Sequence, residues 1–360
     1  MRVGDLRVEA TTFRGGADDA DLAQQIAADA AGRDMTVGSL LWSLTDDAIH
    51  DPQGGLADWR ERRIRIVGDV SERLAEHPVR WLRAYRRAHE WGFTVDPRLR
   101  RTPVDAALLA RIPPEAVAAE LRAILLRTPS PGRCLHELYE AGVLTALAPE
   151  LAAQFDGRPA GPQRHHPEIS QALHLILSLE WVVAQSATMH DDDRAAVLLA
   201  TLTHDLGKGL TTPERFPSHE DHDNTGLAPI QRLFEALPGL GDAATRRLCE
   251  TVCALHLVVR RFAELRPGTL AEIYDRWLRM RDFRADLFAL AVAADHAGRL
   301  GHAAEGDAVR TRVAANVDAL RAACASVDAD ALRARHRDVA AFKTALHEAR
   351  ARAVRQVAFG

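Results

Sequence analysis

The segment Ala200-Thr201-Leu202-Thr203-His204-Asp205-Leu206-Gly207-Lys208-Gly209 decides how this chain is interpreted. An apolar stretch that favours a helix leads into it, and the two glycines after Asp205 end that helix. Adjacent His204 and Asp205 at a helix end offer a nitrogen and an oxygen ligand to one metal ion, or a carboxylate that bridges two ions. A His-Asp pair by itself is frequent in proteins, so this interpretation depends on partners elsewhere in the chain.

Histidines are concentrated around this segment, because seven of the 16 lie between residues 165 and 222. Four further candidate ligands lie on or beside predicted helices: His174, His222, His256 and Asp295. Neutral imidazoles and carboxylates without thiolates suit Mn, Ni, Fe, Zn or Mg and do not resemble a structural zinc site. Such an ion polarises a phosphoryl oxygen and delivers hydroxide. Lys208 would hold a substrate phosphate as a point charge.

Composition excludes several classes of protein. The chain has 360 residues, is 47% hydrophobic and has 46 basic against 50 acidic residues, which argues against disorder and against a globally basic nucleic-acid binder. Its apolar runs are too short for a membrane span, and the first residues do not resemble a signal peptide. The four cysteines form no Cys-x-x-Cys pair, so we expect buried thiols in a cytoplasmic protein.

The sequence predicts a mainly α fold that follows a short α+β region. Alternating apolar residues predict a strand at 6–13, and two more strands are expected within 37–50 and 62–67. Leu41, Trp42 and Leu44 are expected to pack in the core. Beyond residue 70 the chain is helical in character. The expected units are 1–70, 71–155, 165–305 and a helical tail at 306–360.

The ordered set of ligands resembles the HD superfamily of metal-dependent phosphohydrolases. Residues 166–169 (His-Pro-Glu-Ile) and 200–211, followed by Pro213-Glu214, are similar to the HD domain of bacterial CCA-adding tRNA nucleotidyltransferases. In that family the domain implies phosphatase and 2′,3′-cyclic phosphodiesterase activity. By position, the resemblance gives as metal ligands His174, His204, Asp205 and Asp295, with His222 and His256 as further ligands or phosphate contacts. The predicted catalytic residues are Asp205, Lys208 and His222, and the predicted ion is Ni, Mn or Mg.

The resemblance to the nucleotidyltransferase family extends upstream and covers nearly the whole chain. Four segments follow its motifs: 32–40 (RRDxTxNAL), 51–58 (DPxGGxxD), 76–83 (EDxxRxLR) and 114–121 (PERxxxEL). A fifth, 8–14, resembles the strand with the third acidic residue of the palm. The resemblance implies a nucleotide- and RNA-binding role for Glu9, Arg33, Asp34, Arg80 and Arg83. The units 1–70, 71–155 and 165–305 then correspond to a partial head, a helical neck and an HD domain.

The departures from the family pattern lie in the head and neck. Its glycine-rich turn and paired Asp-x-Asp precede the third carboxylate, and only eight residues precede Glu9 here. Two-metal phosphoryl transfer needs carboxylates that hold both ions. Gly38, His77 and Ala116 also replace the Asn, Asp and Arg of three motifs. Loss of the true start and decay of the head are competing explanations, and the three replacements favour decay.

The sequence therefore predicts a phosphohydrolase with a truncated nucleotidyltransferase-like head and neck, acting on a nucleotide or on the 3′ end of an RNA or tRNA. The first alternative is a CCA-adding enzyme whose catalytic part is missing from this chain or supplied by a partner. The second is an RNA-binding protein without turnover. An incomplete sheet exposes an edge, so a homo-oligomer or a completing partner chain is expected.

Overall fold

The computed structural model describes residues 2–3, 6–7, 12–13 and 21–360, and helices dominate it. Strands occur only as short pairs among these residues. The head and its junction with the neck contain β1 (Arg2–Val3), β2 (Leu6–Arg7), α1 (Leu22–Gly32), β3 (Leu41–Ser43), β4 (Ala48–His50), α2 (Gly55–Arg60), β5 (Arg63–Ile64), α3 (Val70–Glu76), α4 (Arg80–Trp91) and β6 (Thr94–Val95).

Strand pairing differs from one continuous sheet. β1 pairs with β2 and β3 with β4, both antiparallel, whereas β5 and β6 pair in parallel. The parallel pair is the one that joins head to neck, because β5 follows α2 and β6 follows α4. Of the strand predicted at 6–13, Leu6–Arg7 lies in a strand, Thr12 and Phe13 do not, and residues 8–11 lie outside the described residues. The stretch 37–50 contains a hairpin instead of one strand.

Two predicted core residues lie at the surface instead. The side chains of Trp42 and Leu44 are 65% and 82% exposed. The prediction that they pack in the core was wrong, because alternation in a two-stranded hairpin fixes which residues share a face but does not supply a layer to cover it.

The neck and the body that follows are helical. The neck contains α5 (Pro97–Arg101), α6 (Ala106–Leu109), α7 (Pro114–Arg127), α8 (Pro131–Glu140), α9 (Val143–Leu147) and α10 (Pro149–Ala152). The body and tail contain α11 (Gln171–Gln185), α12 (Asp191–Thr203), α13 (His222–Thr225), α14 (Leu227–Ala236), α15 (Ala243–Leu255), α16 (Pro267–Ile273), α17 (Ala285–Ala297), α18 (Gly306–Ala325), α19 (Ala329–Arg335) and α20 (Val339–Val354). This confirms the prediction of a mainly helical chain.

Helix α17 is the centre of the body. Its residues 287–295 are all buried, and it packs against α11, α12, α15 and α18. A helix that is apolar on every side fits such a central position. Its C-cap Gly298 lies so close to α11 that a Cβ there would meet the Ser178 hydroxyl at 1.9 Å. This close approach brings the end of α17, with Asp295, beside α11.

One core connects the neck and the body with the part of the head from Met35 onward. Buried apolar side chains form a single cluster from Met35 in the head to Val354 in the last helix. All four cysteines are buried and unpaired, as predicted. Among the described helices, none combines the length and the apolar character that crossing a bilayer requires.

A buried carboxylate ties the head together. Asp58 on α2 accepts hydrogen bonds from the Thr36 hydroxyl at 2.6 Å, from Arg65 Nε at 2.7 Å and from Arg63 Nη2 at 2.7 Å. Burial raises the pKa of Asp58, but these three partners outweigh it and hold that pKa below its usual value. The carboxylate therefore stays ionised while fully buried.

Replacing Asp58 by Asn should destabilise the protein by about 3 kcal/mol at pH 7, because it leaves two guanidinium groups without their buried partner. A lowered folded pKa gives stability that is present above the unfolded pKa, about 4, and is lost as the pH falls through the folded pKa. The deficit of the variant should therefore shrink below pH 4. Urea unfolding at pH 7 and at pH 3.5 measures both effects.

Glu61→Gln is the matched control for this prediction. Glu61 pairs with the same Arg63 at 2.9 Å but is 56% exposed, so its loss should cost less than about 1 kcal/mol. Equal destabilisation by the two variants would contradict the role given to Asp58.

Candidate metal centre

Six side chains from five helices and the turns that follow them converge inside the body. His204 and Asp205 follow the last turn of α12, where the chain tightens into a 3-10 turn at Leu206–Leu210. The other four come from α11, α13, the end of α15 and α17: His174, His222, His256 and Asp295. All six predicted ligands are therefore neighbours, and each is buried.

The turn after Asp205 is held close to α13 by a glycine. A Cβ on Gly207 would meet the backbone oxygen of His222 at 1.9 Å and the nitrogen of Gly226 at 2.7 Å. Only glycine permits this approach without moving the backbone. This packing places His222 beside the carboxylate of Asp205.

The carboxylate of Asp205 lies between two groups of imidazoles. Its Oδ1 is 3.3 Å from His222 Nε2 and 3.7 Å from His256 Nε2. Its Oδ2 is 3.1 Å from His204 Nε2 and 3.9 Å from His174 Nε2. The ligand atoms form two sets of three, His174–His204–Asp295 and Asp205–His222–His256, each within 4.8 Å. This arrangement could hold one ion or two ions bridged by Asp205.

All four imidazoles present the same nitrogen to the centre. Their Nδ1 atoms lie against outer oxygens: the backbone oxygens of Thr201, His219 and Cys253 at 2.7, 2.6 and 2.8 Å, and the Glu168 carboxylate at 3.0 Å. A neutral imidazole that donates through Nδ1 has a lone pair on Nε2. Three such lone pairs, on His204, His222 and His256, therefore point inward, and Nε2 of His174 faces the same centre.

The inward atoms have no good partner of their own. In residues 21–360, hydrogen bonds with favourable geometry are missing for Nε2 of His174, His204 and His222, for Oδ1 of Asp205 and for Oδ2 of Asp295. Imidazole lone pairs and ionised carboxylates are all acceptors, so they repel each other unless a cation lies between them. This mixture of nitrogen and oxygen donors fits a divalent transition metal or Mg²⁺.

The pKa values agree with this requirement. Burial lowers the pKa of His256 to about 3, which keeps its imidazole neutral. Burial opposes ionisation of Asp205 and Asp295, yet their neighbours hold both pKa values well below the usual range: histidines and Lys208 for Asp205, histidines and Arg299 for Asp295. For His174, burial is outweighed by Asp295 and Glu168, which raise its pKa. The centre thus attracts positive charge, as a proton or as a metal.

Glu168 is a residue of the centre that the sequence prediction missed. Its fully buried carboxylate contacts His174 Nδ1 and, at 2.8 Å, His166 Nδ1, and it also accepts the backbone N–H of Leu300 at 3.2 Å. A carboxylate behind a ligating histidine fixes the orientation of the ring. The signal was present in the motif at 166–169, but sequence does not distinguish a ligand from the residue that positions it.

Lys208, which was predicted to hold a substrate phosphate, is buried, and its ammonium is engaged by protein atoms. Its ammonium contacts Asp205 Oδ2 at 2.6 Å, the backbone oxygen of Ala160 at 2.7 Å and Gln171 Oε1 at 3.0 Å. Three protein acceptors match its three protons. In this arrangement Lys208 compensates the buried charge of Asp205.

A cavity of about 510 Å³ leads from the centre to the surface. One wall is basic and includes Arg260, Arg299 and Arg312. Arg260 approaches Asp295 Oδ2 at 3.5 Å, and burial together with the other two arginines lowers the Arg260 pKa relative to its usual value. The opening therefore favours anionic ligands.

The predicted nucleotide-binding residues form a separate cluster between head and neck. Asp34 accepts hydrogen bonds from Arg80 Nε and Arg83 Nη1, both at 2.8 Å. Arg83 Nε also reaches Glu120 on α7 at 3.1 Å. Residues from three motifs thus meet. Arg33 instead pairs with Asp29 at 2.6 Å, and Glu9 lies outside the described residues.

Comparison with known proteins gives the wider context. Residues 1–65 match the family model described as the Poly A polymerase head domain. The Multifunctional CCA protein of Xanthomonas campestris pv. campestris (strain B100) is 37% identical over 298 residues, which cover 80% of this chain and 69% of the relative. That of Methylococcus capsulatus is 36% identical over 336 residues, 90% of this chain and 74% of the relative. The Bacillus stearothermophilus CCA-adding enzyme in complex with CTP shares the fold, with a TM-score of 0.59 and 20% identity over 91% of this chain and 69% of that structure.

These similarities overturn the prediction that hydrolysis of a phosphoester is the function of the chain. The relatives that match over most of the chain are CCA proteins, and the fold is shared with a solved CCA-adding enzyme. The first alternative from the sequence is therefore favoured over the phosphohydrolase. The chain belongs to the family of bacterial CCA-adding tRNA nucleotidyltransferases and poly(A) polymerases.

Proposed function

We propose that this chain acts in maturation of the tRNA 3′ end, as the nucleotide- and tRNA-binding part of a CCA-adding nucleotidyltransferase. The observation that carries the proposal is the 36–37% identity to CCA proteins over 80–90% of the chain. Similarity of this extent includes head, neck and body, whereas one motif covers only a local site.

The cluster around Asp34 supports a nucleotide site between head and neck. Arg83 is held by Asp34 and Glu120, and its side chain is partly exposed. Arg80 is buried against Asp34 and Glu76. A guanidinium held on both sides by carboxylates is pre-organised and loses little freedom when it binds a base or phosphate.

The transfer step itself needs carboxylates that hold two metal ions. In the family those carboxylates belong to the Asp-x-Asp that follows the glycine-rich turn. We infer that the transfer reaction requires such a pair in addition to the Asp34 cluster, and we call a polypeptide that supplies the pair the completing segment. The chain then binds the tRNA and the nucleotide, and the completing segment supplies catalysis.

A reconstitution assay tests this proposal. The substrate is tRNA lacking its terminal CCA, with labelled CTP and ATP. The chain alone should bind the tRNA without extending it. Addition should appear when the part of the Xanthomonas campestris relative that lies outside the matched region is supplied. That segment alone is the control, and a chain that fails to bind tRNA would contradict the proposal.

We further propose that the buried centre holds a divalent cation. The ligands would be His174, His204, Asp205, His256 and Asp295, with His222 as a sixth. When bound, the ion supplies positive charge that can polarise phosphate oxygens in the cavity. The chain's own residues orient the imidazoles through their Nδ1 atoms, and Lys208 offsets the charge of Asp205.

Metal removal and return test the centre. Protein dialysed against a chelator should take up Mn²⁺ or Ni²⁺, and its melting temperature should rise, since a ligand that binds only the folded state stabilises it. Asp205→Asn should weaken uptake by at least about tenfold, measured as bound metal per chain. His219→Gln is the matched control, because His219 lies nearby but its Nε2 contacts the Pro159 backbone oxygen. Equal uptake by Asp205→Asn and wild type would refute the assignment.

A further inference from the structure

Three aromatic rings form an exposed patch at the junction of head and neck, which we call the aromatic patch: Trp59, Trp91 and Phe93. Their ring centroids are 5.3–6.2 Å apart, and each pair packs edge to face. The side chains of Trp59 and Trp91 are nevertheless 52% and 38% exposed. Large aromatic surface left open in this way marks an interaction site.

The patch is built on fixed backbone. Trp59 lies in the last turn of α2 and Trp91 ends α4. Gly92 caps α4 with φ of 66°, a left-handed conformation that suits glycine, and the Phe93 N–H then bonds to the Ala88 oxygen at 2.8 Å. Parallel pairing of β5, which follows α2, with β6, which follows α4, holds the segments of Trp59 and Trp91 together. The rings therefore form a preformed platform.

The charges around the patch are positive on balance. Three of its acidic neighbours are engaged by arginines: Glu61 by Arg63, Glu90 by Arg86 and Arg87, and Asp96 by Arg98. The exposed residues Arg60 and Arg62 have no carboxylate within ion-pair distance in the described part of the chain. The guanidinium of Arg87 also lies 5.3 Å from the Trp91 ring centroid, where it adds a cation to the platform.

We propose that the aromatic patch binds unpaired nucleotides of an RNA strand. Exposed aromatic faces beside guanidinium groups are the chemistry that recognises single-stranded RNA, because bases stack on the rings while arginines meet the phosphates. Helix α4 connects the patch to Arg80 and Arg83, about 16 and 12 Å from Trp91 along the helix axis. The inference rests on the proposed function, and it locates the RNA contact on a surface separate from the Asp34 cluster.

Fluorescence polarisation with a labelled 12-nucleotide unpaired RNA and with tRNA tests the inference on the full chain. Trp59→Leu and Trp91→Leu keep apolar bulk but remove the stacking face. Each should weaken binding of the unpaired RNA about tenfold, which is about 1.4 kcal/mol. Trp91→Phe should restore most of it. Trp42→Leu is the matched control, because Trp42 is also exposed but lies on the β3–β4 hairpin.

A salt titration isolates the electrostatic part. Arg60→Gln with Arg62→Gln should reduce the slope of log affinity against log salt by about 0.7 for each phosphate that these arginines neutralise in the wild-type complex. An unchanged slope would overturn the assignment of these two arginines. Melting temperatures of all variants, compared with wild type, separate weakened binding from impaired folding.

The outcomes separate this inference from the proposed function. Wild-type protein that binds no tRNA would contradict the proposed function. Wild-type binding that Trp59→Leu and Trp91→Leu reduce no more than Trp42→Leu would contradict only the aromatic patch. A change in oligomeric state of these variants without a change in RNA affinity would show that the patch is a protein interface and would overturn the inference.

Discussion

The packing of the body depends on how buried negative charge is compensated at its centre. Two ionised aspartates and the Nε2 atoms of four histidines meet at the buried end of the cavity. Acceptors of this kind repel one another unless positive charge lies among them. Lys208 supplies one such charge through Asp205, and Asp295 and Glu168 raise the pKa of His174 for the same reason. The oxygen atoms beside the four Nδ1 atoms keep the Nε2 atoms facing the centre, so the need for positive charge is built into the fold.

The sequence predicted the site and the fold best where a residue type is found in only a few kinds of environment. His174 and Asp295 are 121 positions apart, yet both could be named from the sequence because they belong to the ordered set of histidines and aspartates that resembles the HD superfamily. The mainly helical fold was predicted from the composition and from the positions of the residues that break helices. Glu168 could not be assigned, because its role depends on which atom of His174 faces it, and that is set by the packing of α11 against the loop before it. The prediction that Trp42 and Leu44 lie in the core was wrong because an alternating pattern does not tell whether a second layer covers the hairpin.

The function was the harder inference. The His-Asp segment resembles a hydrolase motif and it indicated a local arrangement of ligands, which the structure brings together. Activity does not follow from one site, since similar sites recur on proteins with different functions. The identity to CCA proteins extends over head, neck and body, and this overturned the phosphohydrolase prediction without changing the geometry of the histidine and aspartate centre.

Head and body are not independent in this molecule. A single apolar cluster runs from Met35 to Val354, and the β5–β6 pair and the Asp34 network fasten the head to the neck. Attachment of this kind holds Asp34 in a fixed position even though Gly38, His77 and Ala116 depart from the family pattern. Preorganisation of this kind lowers the entropy cost of binding. The energetic consequence is that nucleotide, RNA strand and completing segment would each meet a surface already formed, so that their affinities depend on the contacts they make and little on ordering the chain.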